Sequence, residues 1–342
     1  MVGIRDVARR AQVSPGTVSR VLNSDETLSV TDSTKERIYQ AAQELNYDIK
    51  KRKYNRAKTT TIGLVSTITR QREIDDPYFS ELRLSMEEEC KKRHFNLEQY
   101  ALADVFKKSK LISNLDALVV LGTIEKGSIE KLLDHNCNII LLDNPDIDLS
   151  VDLVFTDFSK VTKKVLSLFV AAGHKEIAYI GGYNIDIDEQ GNEVADENEK
   201  RLKAYKEFMN EQGLSDKISY KLGEWEPLEG KRMADELLAE RADNFPTALL
   251  VGSDPLSVGV YRAIQSAGKT IGRDVVVSSY DDIEIAEFLT PNLTTVKVNA
   301  KELGKAAVRL ANEKIQKERE VNVTLSFPAK LIIRESFVPK EN

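Results

Sequence analysis

The chain has 342 residues, 30% charged and 41% hydrophobic, enough for a small module plus two medium domains that each bury a core. No run approaches the ~18 apolar residues of a membrane span, and no basic-then-apolar opening marks a secretory signal, so a cytoplasmic protein with no membrane partner is expected. Two cysteines, Cys90 and Cys137, suggest neither a disulfide framework nor a metal site, and no cofactor is expected. The net charge of −6 conceals an asymmetry. Residues 1–58 hold twelve Lys and Arg against seven Asp and Glu, a net of +5, which leaves −11 on the remainder. A basic head on an acidic body concentrates phosphate affinity at one end.

Ile4, Val7, Ala8 and Ala11 fall at helical spacing and predict a first short helix with one apolar stripe. Ser14 is a ready N-cap and Pro15 suits the first helical position. A second helix then turns Val18, Val21 and Leu22 inward and leaves Thr17, Ser19, Arg20 and Asn23 outward. This is the layout of a helix-turn-helix whose second helix enters a DNA major groove; an ordinary helical hairpin with a solvated face fits the same spacing. In the first reading Arg20 can fork onto guanine O6 and N7, a contact worth ~1–3 kcal/mol of discrimination. Ser14, Thr17, Ser19 and Asn23 are sized to reach phosphates. After a polar loop, a third helix follows Thr31, with Ile38, Ala42 and Leu45 at core spacing.

Asp6-Val7-Ala8, then Val13-Ser14, then Thr17-Val18-Ser19-Arg20-Val21-Leu22-Asn23 resemble the N-terminal signature of the LacI/GalR family of transcriptional repressors. The resemblance implies a homodimer or tetramer on a near-palindromic double-stranded DNA operator, gated by a small molecule, with Tyr47 on a phosphate. Pro15 and Gly16 stand where such proteins often carry larger base-reading side chains, which shifts readout toward Arg20 and DNA shape. Residues 1–47 would form the DNA-binding domain, 48–60 a basic hinge or linker, and 61–342 the effector-binding and dimerisation part. The connector departs from the family pattern: its usual Pro-Asn start and Ala-Arg-x-Leu core are absent. Tyr54 is the one large side chain placed to wedge a minor-groove step; a solvated basic linker is the other reading.

From Thr59 onward, apolar strands alternate with amphipathic helices. Strands are predicted at 59–66, 115–122, 139–143, 177–182, 248–253 and 275–280, and helices at 78–93, 159–172, 197–212, 228–241 and 256–267. Continuously apolar strands between helices argue for parallel sheets covered on both faces. The run renews at Val154–Asp157, which predicts two doubly wound lobes; the resemblance implies a periplasmic-binding-protein-like body with ligand between the lobes. No C-terminal leucine heptad is present, so a dimer is expected rather than a tetramer.

Ligands of open α/β sheets sit at the carboxyl ends of strands, where Asp143, Asp254 and Asp281 fall. Each has an alternative use as a helix cap, most of all Asp254 before Pro255. Arg201 resembles the family's Arg at the start of a helix, Tyr78 follows Asp76-Pro77 in what resembles its cleft lip, and Trp225 is the single tryptophan. Three acids against one Arg suit a neutral polyol better than a phosphorylated ligand. The strings Glu73–Tyr78 and Asp25–Val30 resemble those of an evolved β-galactosidase operon repressor, which implies galactose or a galactoside as effector.

No Walker motif or Gly-x-Gly-x-x-Gly follows a strand, and His94, His135 and His174 have no nucleophile motif beside them, so no enzyme is expected. A catabolite-control-type regulator with a phosphocarrier protein as co-effector is the alternative. The acids Glu81, Glu87, Glu88 and Glu89 on one helix read as an acidic face that argues against it.

Overall fold

The computed structural model describes residues 3–22, 25, 28–47, 59–107, 111–144, 147–188, 190, 192–241 and 245–339. The chain divides into two compact units, Met1–Thr59 and Thr60–Asn342.

In the first unit, α1 (Ile4–Ala11), α2 (Pro15–Leu22) and α3 (Asp32–Glu44) close on Val7, Ala8, Ala11, Val18, Val21, Ile38, Ala41 and Ala42, all buried. These are the inward positions of the sequence pattern, joined by Ala41. Ile4, Leu22 and Leu45 are only partly covered. Gln12 takes the left-handed conformation between α1 and α2 (φ 57°), and Val13 N bonds Ala8 O at 3.0 Å, which reverses the chain sharply after α1. Arg10 binds Glu44 at 2.7 Å and ties α1 to α3.

The second unit is built on two six-stranded sheets. The first contains β1 (Thr61–Ser66), β2 (Asn96–Ala101), β3 (Ala117–Leu121), β4 (Ile139–Leu142), β5 (Asp152–Thr156) and β13 (Thr324–Phe327) in the order β2-β1-β3-β4-β5-β13, with every pairing parallel. The second contains β6 (Ile177–Gly182), β9 (Ser219–Gly223), β10 (Ala248–Val251), β11 (Val276–Asp281), β12 (Thr294–Lys297) and β14 (Lys330–Ile332), ordered β9-β6-β10-β11-β12-β14. A two-stranded ribbon, β7 (Asn184–Ile187) with β8 (Glu193–Asp196), leaves the end of β6. Helices α4 (Arg70–Asp75), α5 (Pro77–Lys92), α6 (Leu102–Lys107), α7 (Lys126–Leu133), α8 (Phe158–Ala171), α9 (Lys200–Glu211), α10 (Pro227–Glu240), α11 (Asp254–Ser266) and α12 (Ala300–Gln316) connect the strands.

Every residue of β3, β4, β6 and β10 is buried, so the continuously apolar runs are two-faced central strands. The two-lobed α/β expectation holds, with one correction. The strand at 152–156 does not begin the second lobe; it pairs with β4 and completes the first sheet. The second sheet starts at Ile177, and the chain crosses between lobes after β5, after β12 and again between β13 and β14. Asn299 Nδ2 donates to Pro328 O at 3.3 Å and links the last two crossings.

The acidic face expected on α5 is also corrected. Glu89 is buried against Arg93 at 2.8 Å and Arg309 at 3.5 Å. Glu87 pairs with Arg83 at 2.6 Å and Glu81 with Lys301 at 3.4 Å. Cations four residues away, or on α12, neutralise most of that face.

Asp152, fully buried at the start of β5, accepts from Arg319 Nη1 at 2.8 Å, from Arg319 Nη2, and from Val323 N at 2.9 Å. This bidentate pair fastens the segment entering β13 to the first sheet. Removing one partner strands a buried charge, so Arg319→Ala should destabilise the body by about 3–5 kcal/mol in urea unfolding. A loss below about 1 kcal/mol would show that the pair is dispensable.

Candidate functional site

On α2, Ser14, Pro15, Gly16 and Arg20 are exposed, while Thr17 and Ser19 are half-buried. Ser14 Oγ accepts from Thr17 N at 3.0 Å and lies 2.8 Å from Thr17 Oγ1. The predicted N-cap is therefore formed, and it turns both hydroxyls toward each other. Arg20 Nε donates to Asp25 Oδ2 at 2.7 Å, which holds the guanidinium from its inner side. A Cβ on Gly16 would meet only Ser14 Oγ at 3.7 Å, so no neighbour in this unit demands glycine there. Tyr47 packs half-buried against the head's core. Asn23 and Tyr54 lie outside the described residues.

In the body, a cavity of about 850 Å³ opens where the carboxyl ends of strands from both sheets face each other. Loops after β1, β3 and β4 line it from one lobe, and loops after β6, β9 and β10 with the last residue of β11 from the other. Of the predicted residues, Tyr78, Asp143, Arg201, Trp225 and Asp281 meet there. Asp143 and Asp281 both have positive φ, 66° and 106°, a conformation costly for a side-chain-bearing residue and typical of sites held by their surroundings.

Arg201 is caged. Its guanidinium lies 4.6 Å from the Trp225 ring, 4.7 Å from Phe158 and 5.4 Å from Tyr280, distances at which ring quadrupoles attract a cation. Nε donates to Glu199 Oε1 at 2.7 Å and Nη1 to Gly252 O at 2.7 Å. Among the described residues Nη2 has no hydrogen-bond partner and remains as a donor at the cavity wall. Glu199 is itself fixed, since Oε2 caps α9 through Leu202 N at 3.0 Å and accepts from Tyr179 Oη at 2.8 Å. Burial works against the charge on Arg201, but Glu199 and Asp281 raise its pKa above the usual value. Trp225 donates from Nε1 to Tyr183 O at 3.0 Å. Its indole fills the space above Gly182, where a Cβ would collide with it, so the glycine pair 181–182 serves ring packing.

Desolvation pushes the Asp143 carboxyl up to about 6, against the pull of Arg201 and Lys200. Asp281 is raised well above the carboxylate range by burial and by the nearby charges of Asp76, Asp254 and Asp143. Tyr78 is buried, and its Oη, facing Asp143, has no hydrogen bond of good geometry. Among the described residues, Asn144 Nδ2 is likewise buried without a partner. These groups can serve hydroxyl-bearing ligands in both senses, as donors and as acceptors.

Asp254 is a correction. It does not line the cavity: its carboxylate is fully buried and accepts from Thr295 Oγ1 at 2.7 Å and Ile283 N at 3.0 Å. It is not the cap either, because Ser253 caps α11, with Asp254 and Pro255 in the first turn. Burial raises Asp254 to about 7, above an unfolded value near 3.8. A group raised on folding contributes stability that is complete in acid and is lost as pH climbs through its folded pKa. Asp254 and Asp143 should each lower stability by up to about 1.4 kcal/mol per pH unit between their unfolded and folded values. The unfolding midpoint should fall from pH 5 to pH 8, and Asp254→Asn should flatten that slope; an equally steep slope in the variant would contradict the assignment.

Several cavity residues were not predicted. Asn198 and Glu199 precede α9 and Lys200 opens it; Arg72 extends from α4, 5.4 Å from the Phe79 ring; and Asn184, Asp186 and Glu193 come from the ribbon. Glu199, two residues before Arg201, was the legible one among them, as a carboxylate at a helix start. In all, nine acidic side chains line the cavity against five basic ones.

A helix-turn-helix head joined to a two-lobed, cleft-bearing body defines a DNA-binding transcription regulator gated by a ligand. Residues 3–48 match the model of bacterial regulatory proteins of the lacI family, and residues 166–337 match that of a periplasmic binding protein-like domain. The HTH-type transcriptional regulator GanR of Bacillus subtilis (strain 168) is 32% identical over 98% of this chain and 99% of its own length. The lac repressor dimer bound to operator and the anti-inducer ONPF shares the fold at a TM-score of 0.71, with 22% identity over 98% of each chain. The CelR–cellobiose complex does so at 0.70, with 23% identity over 98% of this chain and 100% of that one. The chain belongs to the lacI family of transcription regulators.

Proposed function

We propose that this protein is a sugar-responsive repressor, a cytoplasmic homodimer that holds a near-palindromic operator and releases it on binding galactose or a galactoside. In this reading residues 1–47 read DNA, 48–60 transmit, and 61–342 bind the effector and dimerise. Arg20 contacts a base edge. Ser14, Pro15, Gly16, Thr17, Ser19, Asn23 and Tyr47 form the rest of the DNA surface, with Tyr54 near the minor groove. Tyr78, Asp143, Arg201, Trp225 and Asp281 hold the sugar.

The observation that carries the reading is the cavity chemistry. A rigid guanidinium donor, an Asn144 amide without a partner among the described residues, the Tyr78 hydroxyl beside Asp143, and a surplus of carboxylates favour vicinal hydroxyls and disfavour an anion. The relative captured with cellobiose supports a saccharide effector, and the dimer captured on operator with an anti-inducer supports two-fold DNA binding. Coupling requires the sugar to favour one arrangement of the body and the operator another.

The test is fluorescence anisotropy with an inverted-repeat duplex selected from a random pool. Galactose or lactose should weaken duplex affinity by about 5- to 150-fold, the usual range of allosteric coupling. Unchanged affinity with every galactoside would remove the effector assignment.

A further inference from the structure

We propose that the β7–β8 ribbon is a strap across the cleft that extends the effector site, so that the ligand is a neutral oligosaccharide of at least two rings rather than a single hexose. This rests on the reading of the cleft as a sugar site. The ribbon belongs to the second lobe by connectivity, since it leaves β6 and returns to α9. Its root is fixed there: Tyr183 N donates to Gly223 O at 3.2 Å, and Tyr183 O accepts from Trp225 Nε1. Its far end of β7 docks on the other lobe. Ile187 forms a parallel bridge with Ile124, its carbonyl accepts from Glu125 N at 3.2 Å, and its side chain packs on the first lobe's apolar cluster. Thr123 Oγ1 donates to Ile185 O as well.

Through this contact the ribbon adds Asn184, Asp186 and Glu193 to the cavity lining, which also includes Lys126 of the first lobe. These groups are additional to Asp143, Asn144 and Asp281 at the strand ends and Arg201 at the start of α9. At about 850 Å³ the cavity lies near the top of the ~300–1,000 Å³ range of pockets that bury a drug-sized ligand, larger than one hexose ring. A single ring therefore engages the strand-end groups and leaves the ribbon's polar groups to water. A second ring reaches them, and the acidic surplus excludes uronates and sugar phosphates.

Calorimetric titration of the full chain with galactose, lactose and raffinose tests this. The disaccharide or trisaccharide should bind at least tenfold tighter than galactose. Replacing residues 185–194 by Gly-Ser-Gly should bring that ratio near one. Ile187→Ser, which loosens the strap without removing it, should lower the ratio at least threefold. Inverted-repeat DNA binding and the unfolding midpoint report that each variant is folded. Equal affinities in the unaltered protein, or a preference that survives both variants, would overturn the strap while leaving the sugar reading intact. Silence toward all three sugars in a protein that still binds its operator would overturn both.

Discussion

Arg201→Ala should bind operator like the unaltered protein and need roughly 10- to 150-fold more galactoside to release it. The side chain supplies a charge-assisted donor to the cleft, and such a bond is worth about 1.5–3 kcal/mol, or roughly 10- to 150-fold in sugar affinity. The cage sharpens the expectation, because Phe158 and Trp225 grip the plane while Glu199 and the Gly252 carbonyl fix its rotation. Arg201→Lys should restore little, since an ammonium lacks the planar fork and the ring stacking. Arg201→Ala also leaves Glu199 buried beside an empty cage, which threatens stability. Glu199→Gln with Arg201→Ala removes that charge and retains a cap for α9. If the double variant is stable and still releases operator normally, Arg201 is not an effector residue.

Arg20→Ala should weaken binding to the preferred duplex by about 1–3 kcal/mol and relax selection at one base pair of each half-site. The loss should be smaller on unrelated DNA, where phosphate charge dominates. Asp25 acts on the same contact. By accepting from Nε at 2.7 Å it aims the guanidinium, so Asp25→Ala should cost specificity at the same base pair by a smaller amount. Binding to a randomised half-site library reads both effects. An Arg20→Ala variant that loses equally on all sequences would make this residue a phosphate contact.

The head and the sheet centres were legible because burial writes periodicity into sequence. Val7, Val18 and Ile38 sit at the spacing that the packed helices require, and the runs at 117–121 and 139–142 are apolar on both faces. The edge strands were not legible. β2 alternates with mostly exposed residues and β9 is half-exposed up to its buried last residue, Gly223, so neither carries an uninterrupted apolar run. Asp143, Asp281 and Arg201 were found because strand ends and a family-like helix start mark them. Asp254 misled because one residue separates a cap from a buried carboxylate, and Ser253 holds the cap. The ribbon left no trace, since its pairing and its docking at Ile187 depend on two loops meeting across the lobes.

The claim beneath all of this is that one ligand site and one DNA site share a single coupling free energy. The direct measurement is the dissociation constant of lactose for the protein alone and for the protein saturated with its selected inverted-repeat duplex. Reciprocity requires the duplex to weaken lactose binding by the same factor by which lactose weakens duplex binding. Equal lactose affinity in the two titrations would contradict the account.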